Sequence, residues 1–428
     1  AVLYGKNDFR IEDRQIPSCG PDNLLIKVHS VGICGTDIHF WQHCEFARTV
    51  ITEPTVIGHE ASGIVGKVGE NVSKHFSIGD RVAMEPTTIC GKCADCTTGV
   101  DNICEYVFQR SFGSFAKWVS VPAEFCHKLP DHMTLDEGAL MEPLSCAYHG
   151  CIRAELKKGQ NILICGSGSS TMTLACGTTP CAYPRISCCS PYKVMAVNGA
   201  IGCGPQPTVP STQSVTCATN PPAPALTTKV GASSTAAPST AGAAHPLVLI
   251  RVGRAIGSLT LLAAKTFGPS KIIATDISDK RLNTIKAVGA DYVVNVSNKT
   301  PSEAAKAIRN ELGAVPDVVL ECTGLGISIE TGIYALKNSG TVCIIGMGSA
   351  RADLPIVEAI SKEIRIVTSL KNKHDEFPVV LEMVADGKID LKKLTLAHFK
   401  LSEITEAFKK MLAAEVTKVI LHPQELIE

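Results

Sequence analysis

The sequence predicts an α/β chain of two domains: a β-rich first part, then a doubly wound parallel sheet with a disordered insertion in it. Three observations carry this. Up to about residue 147, short β-branched runs lie between Gly/Pro turns. After residue 255, apolar strand-like runs alternate with amphipathic helical ones. Between them, the 86 residues from Ser170 to Ala255 hold no Asp or Glu but 11 of the chain's 24 prolines. Of the 428 residues, 342 remain without that stretch, a two-domain length at roughly 150 residues per domain.

The first-part strands are NLLIKVHSVG, ASGIVGKVG, GDRVAMEP and KWVSVPAEFCHKLP, each alternating or clustering β-branched residues. The insertion, rich in Ser, Thr, Pro, Ala and Gly, has little apolar periodicity with which to offset its ordering entropy. After it come the strands KIIATDIS, DYVVNV, PDVVLECTG, GTVCIIGMG and EIRIVTS. They are interleaved with the helical patterns SLTLLAAKTFG, KRLNTIKAVGA and SEAAKAIRNELG. Apolar runs separated by such helices predict a parallel sheet covered on both faces. The expected division is 1–147 for the first domain, with 369–428 returning to it, and 148–368 for the second, interrupted at 170–255.

Lys plus Arg equals Asp plus Glu, 41 against 41, so no basic excess points to nucleic acid or an anionic membrane surface. No apolar run approaches a membrane span. The segment AVLYGKNDFRIEDRQIP lacks the basic-then-apolar pattern of a secretory signal. A cytoplasmic protein with a small-molecule substrate is expected.

Nineteen cysteines are many for such a protein. Cys90, Cys93, Cys96 and Cys104 are spaced C-x2-C-x2-C-x7-C in a loop punctuated by Gly91 and Gly99. Four thiolates this close predict a tetrahedral structural zinc with no open position. The six cysteines of the insertion lack paired spacing. A second, dispersed set combines Cys34, His59, Glu60 and Glu142. A thiolate, an imidazole and two carboxylates suit a catalytic zinc with an open position, and Gly58 would allow close backbone approach there.

NILICGSG is a strand followed by Gly166-x-Gly168, and the glycine that completes a dinucleotide-binding turn appears after the insertion as Ile256-Gly257. Asp276 lies 19 residues beyond Gly257, at the spacing of the carboxylate that bonds the adenosine ribose and disfavours a 2′-phosphate. NAD is therefore expected, with the insertion entering the phosphate cradle.

In order along the chain, C-G-T-D-I-H-F-W, G-H-E-A-S-G, G-D-R-V-A-M-E-P, the cysteine quartet, E-P-L-S and E-C-T-G resemble the zinc-dependent medium-chain alcohol dehydrogenases. Among these the chain looks like the polyol branch, sorbitol and xylitol dehydrogenases. The resemblance covers everything except the insertion and implies a GroES-like catalytic domain, a Rossmann NAD-binding domain, two zinc ions per subunit, NAD and a homotetramer. It also implies that Cys34, His59 and Glu60 bind the catalytic zinc and that Glu142 holds its water or the substrate. Thr36 would begin proton release from the alcohol, and His39 would carry the proton on. Arg281 would lie beside the ribose, and Ile345, Gly346 and Met347 near the nicotinamide.

Phe40 stands where this branch often has a tyrosine contacting the polyol. Ser369-Leu370-Lys371-Asn372 replaces a phenylalanine-arginine-tyrosine run that contacts cofactor and substrate, so Ser369 and Lys371 are expected at the cofactor. The loop between Tyr106 and Gly113 is shorter than usual. These departures leave open a threonine- or diol-type zinc dehydrogenase, and the insertion leaves open a catalytically impaired zinc protein.

Overall fold

A computed structural model describes residues 1–46, 49–86, 89–104, 113–166, 255–349, 351–413 and 416–424, all within one unit. Apart from Ala255, the insertion expected at Ser170–Ala255 lies outside them, as do Gly168 and most of the loop after Tyr106. Ala255 itself is the first residue of the helix Ala255–Lys265 and is buried. Its side chain packs in the core shared with Leu259 and Leu262.

The second part is a six-stranded, wholly parallel sheet. Its spatial order is Tyr292–Asn295, Lys271–Asp276, Asn161–Cys165, Val318–Glu321, Thr341–Ile344, Arg365–Thr368. Alternate side chains go to opposite faces, and both faces are covered. Ile162, Ile164, Ile272 and Leu320 join one core with Leu259 and Leu262 of the helix Ala255–Lys265. Leu163, Ile273 and Val319 join another with Ile308 and Ile333 from the helices Pro301–Leu312 and Gly326–Ala335. Burial on both faces is why these strands read as continuous apolar runs. The strand order reverses between Asn161–Cys165 and Val318–Glu321, the kind of switch point where doubly wound sheets bind ligands beyond their strand ends.

The first part is a seven-stranded sheet around Asn23–Gly32, which pairs antiparallel with Glu60–Val68, Trp118–Pro122 and Lys418–His422. Arg81–Met84 and Cys126–Lys128 extend one side, and Leu396–Lys400 lies parallel to Lys418–His422 on the other. The helix Met141–Arg153 shares the core of the parallel sheet through Met141, Leu144, Ala147 and Cys151. That same core takes in Ala83 and Ile420 of the seven-stranded sheet and Leu129 just beyond its strand Cys126–Lys128, so one apolar interior joins the two parts.

Candidate active site and metal centres

Cys34 is the N-cap of the helix Gly35–His43. Its backbone N–H donates to Asp37 Oδ2 at 2.9 Å, and Asp37 Oδ1 lies 3.4 Å from His59 Nδ1. His59 sits just before the strand Glu60–Val68, and the donor atoms of Cys34, His59 and Glu60 lie within 4.8 Å of one another. Gly58 precedes them at φ +96°, with the Phe115 ring 2.7 Å from where a Cβ would stand. A side chain there would both strain the backbone and displace the ring.

The three expected ligands therefore converge, and the donor set suits zinc. Burial opposes a charge on His59, but Asp37 and Cys34 hold its pKa well above the ordinary value. The pocket is thus a field that favours a cation.

Glu142, in the helix Met141–Arg153, is 6% exposed. Burial pushes its pKa up and Glu60 adds to this, while His59, Lys371 and Lys418 oppose. It faces the centre but is not among the three groups whose donor atoms all lie within 4.8 Å of one another. Thr36 is half-buried in the first turn of the helix, two residues after Cys34. His39 is stacked on Phe46 with ring centroids 4.6 Å apart, and burial followed by His43 lowers its pKa to about 4. Its Nε2 has no hydrogen-bond partner among the described residues. Phe40 packs edge-on to the same Phe46.

Sequence reasoning assigned no role to three residues here. Asp37 was quoted within a motif only. Lys418 donates from Nζ to Glu60 Oε1 at 2.6 Å. Burial opposes its charge, yet Glu60 and Cys34 hold its pKa above the ordinary value. A lysine inside the apolar run TKVILHP was the available signal. Cys146 donates to Glu142 Oε1 at 3.6 Å, and burial followed by Glu142 and Cys34 raises its pKa well above the ordinary value. Lys371, expected at the cofactor, has its charge among Glu142, Cys146 and Cys34, which oppose a lowering caused by burial. Ser369 donates its backbone N–H to Ile344 O at 2.9 Å.

At the carboxyl ends of the parallel strands, a pocket is lined by Cys165, Gly166, Asp276, Arg281, Lys299 and Thr323. Gly166 has φ +81°, and a Cβ would meet Thr323 Cγ2 at 2.2 Å, so the turn requires glycine on two counts. Asp276 accepts from Arg281 Nε at 2.7 Å and from the Ser278 backbone N–H at 2.9 Å. Arg281 is thus tethered to the carboxylate it was expected to accompany. Ile256 and Gly257 lie in the first turn of the helix Ala255–Lys265. Ile345, Gly346 and Met347 follow the strand Thr341–Ile344, with Gly346 pressed onto the backbone of Thr323 and Gly324. None of these five residues lines that pocket.

In the cysteine lobe the Sγ separations are 3.5 Å for Cys93–Cys96, 3.7 Å for Cys93–Cys104 and 3.9 Å for Cys90–Cys96. These are far too long for disulfides and close to the tetrahedral edge of about 3.8 Å set by Zn–S bonds of about 2.3 Å. Backbone N–H groups of Lys92 and Cys93 lower the Cys90 thiol to about 6, which favours the ligating thiolate. Asn102, in the same lobe, donates to Leu370 O at 2.8 Å, and the His374 backbone N–H donates to Asp101 Oδ2 at 3.3 Å.

The GroES-like domain of alcohol dehydrogenases matches residues 20–131, and the zinc-binding dehydrogenase family matches residues 255–386. Sorbitol dehydrogenase of Bos taurus is 32% identical over 412 residues, 95% of this chain and 91% of that protein. Among solved structures, galactitol-1-phosphate dehydrogenase of Escherichia coli matches with TM-score 0.71 at 20% identity, covering 99% of both chains. The 2R,3R-butanediol dehydrogenase of Bacillus subtilis matches with TM-score 0.69 at 22% identity, covering 99% of this chain and 98% of that one. The chain belongs to the zinc-dependent medium-chain alcohol dehydrogenases, in their polyol branch.

Proposed function

We propose that this dehydrogenase oxidises a polyol, a secondary alcohol of the sorbitol or xylitol kind, to a ketose with transfer of hydride to NAD. The observation that carries the reading is the convergence of Cys34, His59 and Glu60 within 4.8 Å, with Glu142 facing them. Zinc supplies the Lewis acidity that makes an alcohol proton labile near neutral pH, and NAD is the hydride acceptor.

Cys34, His59 and Glu60 would hold the zinc. Asp37, 3.4 Å from His59 Nδ1, fixes that ring so that its other nitrogen faces the centre. Lys418 restrains Glu60. Glu142 would orient water or a substrate hydroxyl by accepting its hydrogen bond. The Thr36 hydroxyl would take the alcohol proton and pass it outward. His39, whose pKa of about 4 leaves it neutral near pH 7, offers a lone pair to relay it. Cys90, Cys93, Cys96 and Cys104 would hold a second, structural zinc.

Gly166, Asp276 and Arg281 would receive the dinucleotide. Asp276 would accept from the ribose hydroxyls and exclude a 2′-phosphate, favouring NAD. The resemblance extends the reading to a cytoplasmic homotetramer. A second reading, a diol- or threonine-type dehydrogenase, is favoured by Phe40 and by Lys371, whose charge lies beside Glu142. Calorimetric titration of the full chain with NAD, followed by turnover on a panel of polyols, diols and threonine, tests both. Tight NAD binding with turnover confined to polyols is expected. Turnover confined to diols or threonine would replace the substrate assignment, and no NAD binding would overturn the function.

A further inference from the structure

The strands Leu396–Lys400 and Lys418–His422 run parallel side by side, and each carries a histidine. His398 Nδ1 and His422 Nε2 are 3.0 Å apart, their rings stacked with centroids 5.3 Å apart. The helix Leu135–Ala139 brings the Asp136 carboxylate to them: Oδ2 is 3.6 Å from His398 Nδ1, and Oδ1 is 4.0 Å from His422 Nε2. From the strand Asn23–Gly32, the Ser30 hydroxyl donates to Asp136 Oδ1 at 2.5 Å, and His29 Nδ1 lies 2.8 Å from that hydroxyl. The dehydrogenase reaction uses none of these groups.

Proton sharing between the two imidazoles explains their 3.0 Å separation but not the carboxylate, which lies beyond hydrogen-bond reach of both. The two imidazole nitrogens lie 3.0 Å apart, and the carboxylate approaches each with a different oxygen, Oδ2 at 3.6 Å from His398 and Oδ1 at 4.0 Å from His422. A tetrahedral ion with N and O ligands at about 2.0–2.2 Å sets edges of about 3.4 Å. We propose that His398, His422 and Asp136 form a third metal site, for a divalent transition ion such as zinc, separate from the catalytic centre and the cysteine cage. Two imidazoles and one carboxylate suit such an ion better than magnesium or calcium, which prefer all-oxygen shells. His422 is 6% exposed, but the side chains of His398 and Asp136 are 35% and 25% exposed, so the fourth position opens to water. Ser30 holds the ligating carboxylate, as outer hydrogen bonds do at metal sites, and His29 offers a further ring nitrogen, its donor atom and those of Asp136 and His422 all lying within 4.8 Å of one another. The ion would join the two last strands to the helix bearing Asp136, and by mass action it would stabilise that attachment.

The test uses full-length enzyme carrying its two resident zinc ions, dialysed free of excess metal and titrated with zinc chloride by calorimetry. One further equivalent is expected. His398→Gln and Asp136→Asn should each weaken it by at least tenfold, and Ser30→Ala by about tenfold. Because the His398 side chain is partly exposed, His398→Gln should keep the fold, shown by unchanged far-ultraviolet circular dichroism. Excess zinc should raise the melting temperature of the wild type and not of His398→Gln. Absence of a further equivalent would overturn the proposal. So would its undiminished retention in both His398→Gln and Asp136→Asn, because the ion would then bind elsewhere, such as at Glu85, His127 and His374.

Discussion

Cys96→Ser removes one corner of the cysteine cage, and the structure says where the damage should travel. The lobe has little apolar core of its own: of Cys90 to Cys104, Cys104 is the one buried hydrophobic residue. Its order would therefore rest on a metal held by the four thiolates, since structural zinc contributes folding free energy directly. The lobe is tied to the segment bearing Lys371 by the Asn102–Leu370 and Asp101–His374 hydrogen bonds at 2.8 and 3.3 Å. The first is a neutral bond and the second has a charged acceptor, together roughly 2–4 kcal/mol. Losing them should loosen Leu370 to His374 beside the catalytic pocket without unfolding either sheet. Elemental analysis after dialysis should fall from two zinc ions per subunit to one. Limited trypsinolysis should cut after Lys92, an exposed residue of the lobe, much faster than in the wild type, and turnover should drop several-fold. A variant that keeps both zinc ions, or loses one while Lys92 stays as resistant as before, would refute the reasoning.

His59→Ala should abolish turnover and leave NAD affinity within about twofold, because its contacts are with Cys34 and Asp37 and not with the dinucleotide pocket; a large loss of NAD affinity by calorimetry would contradict this. Glu142→Gln should lower turnover with the catalytic zinc retained, whereas loss of that zinc would make Glu142 a direct ligand. Deleting Ser170 to Ala255 joins Gly166-Ser-Gly168-Ser directly to Ile256-Gly257 and so restores the G-x-G-x-x-G spacing. It should tighten NAD on the order of a hundredfold or more if two pyrophosphate hydrogen bonds of roughly 1.5–3 kcal/mol each are restored, and equal affinity with and without the segment would sink the idea. A hydrogen bond donated to the Glu85 carboxylate, at 2.7 Å, raises the His374 pKa above its ordinary 6.5. A raised folded pKa adds stability that is full below the unfolded value and is lost as pH climbs through the folded one. Glu85→Gln should therefore trail the wild type in urea midpoint most at about pH 6 and least at about pH 9; a constant gap would remove His374 from the account.

The parallel sheet was legible because burial on both faces writes itself into the sequence as uninterrupted apolar runs between amphipathic helices, as in Leu163, Ile164 and their neighbours. The clustering of Cys90, Cys93, Cys96 and Cys104 was legible because all four fall within one short loop, where spacing alone constrains geometry. Gly166 and Asp276 could be read because a tight turn and a strand end impose their residue types locally. The dispersed candidate ligands were different: Cys34, His59 and Glu60 were each ambiguous alone, and the ordered motif set of a known family joined them before the fold did. Residues that act only through tertiary contact escaped. Lys418 meets Glu60 across 358 positions of sequence, and Asp136 meets His398 and His422 because a helix packs over two strands contributed by the chain's last residues. Sequence spacing records contacts that close through short loops. Pairing among Asn23–Gly32, Lys418–His422 and Leu396–Lys400 is set by the sheet as a whole, and only the folded chain decides which buried charges face one another.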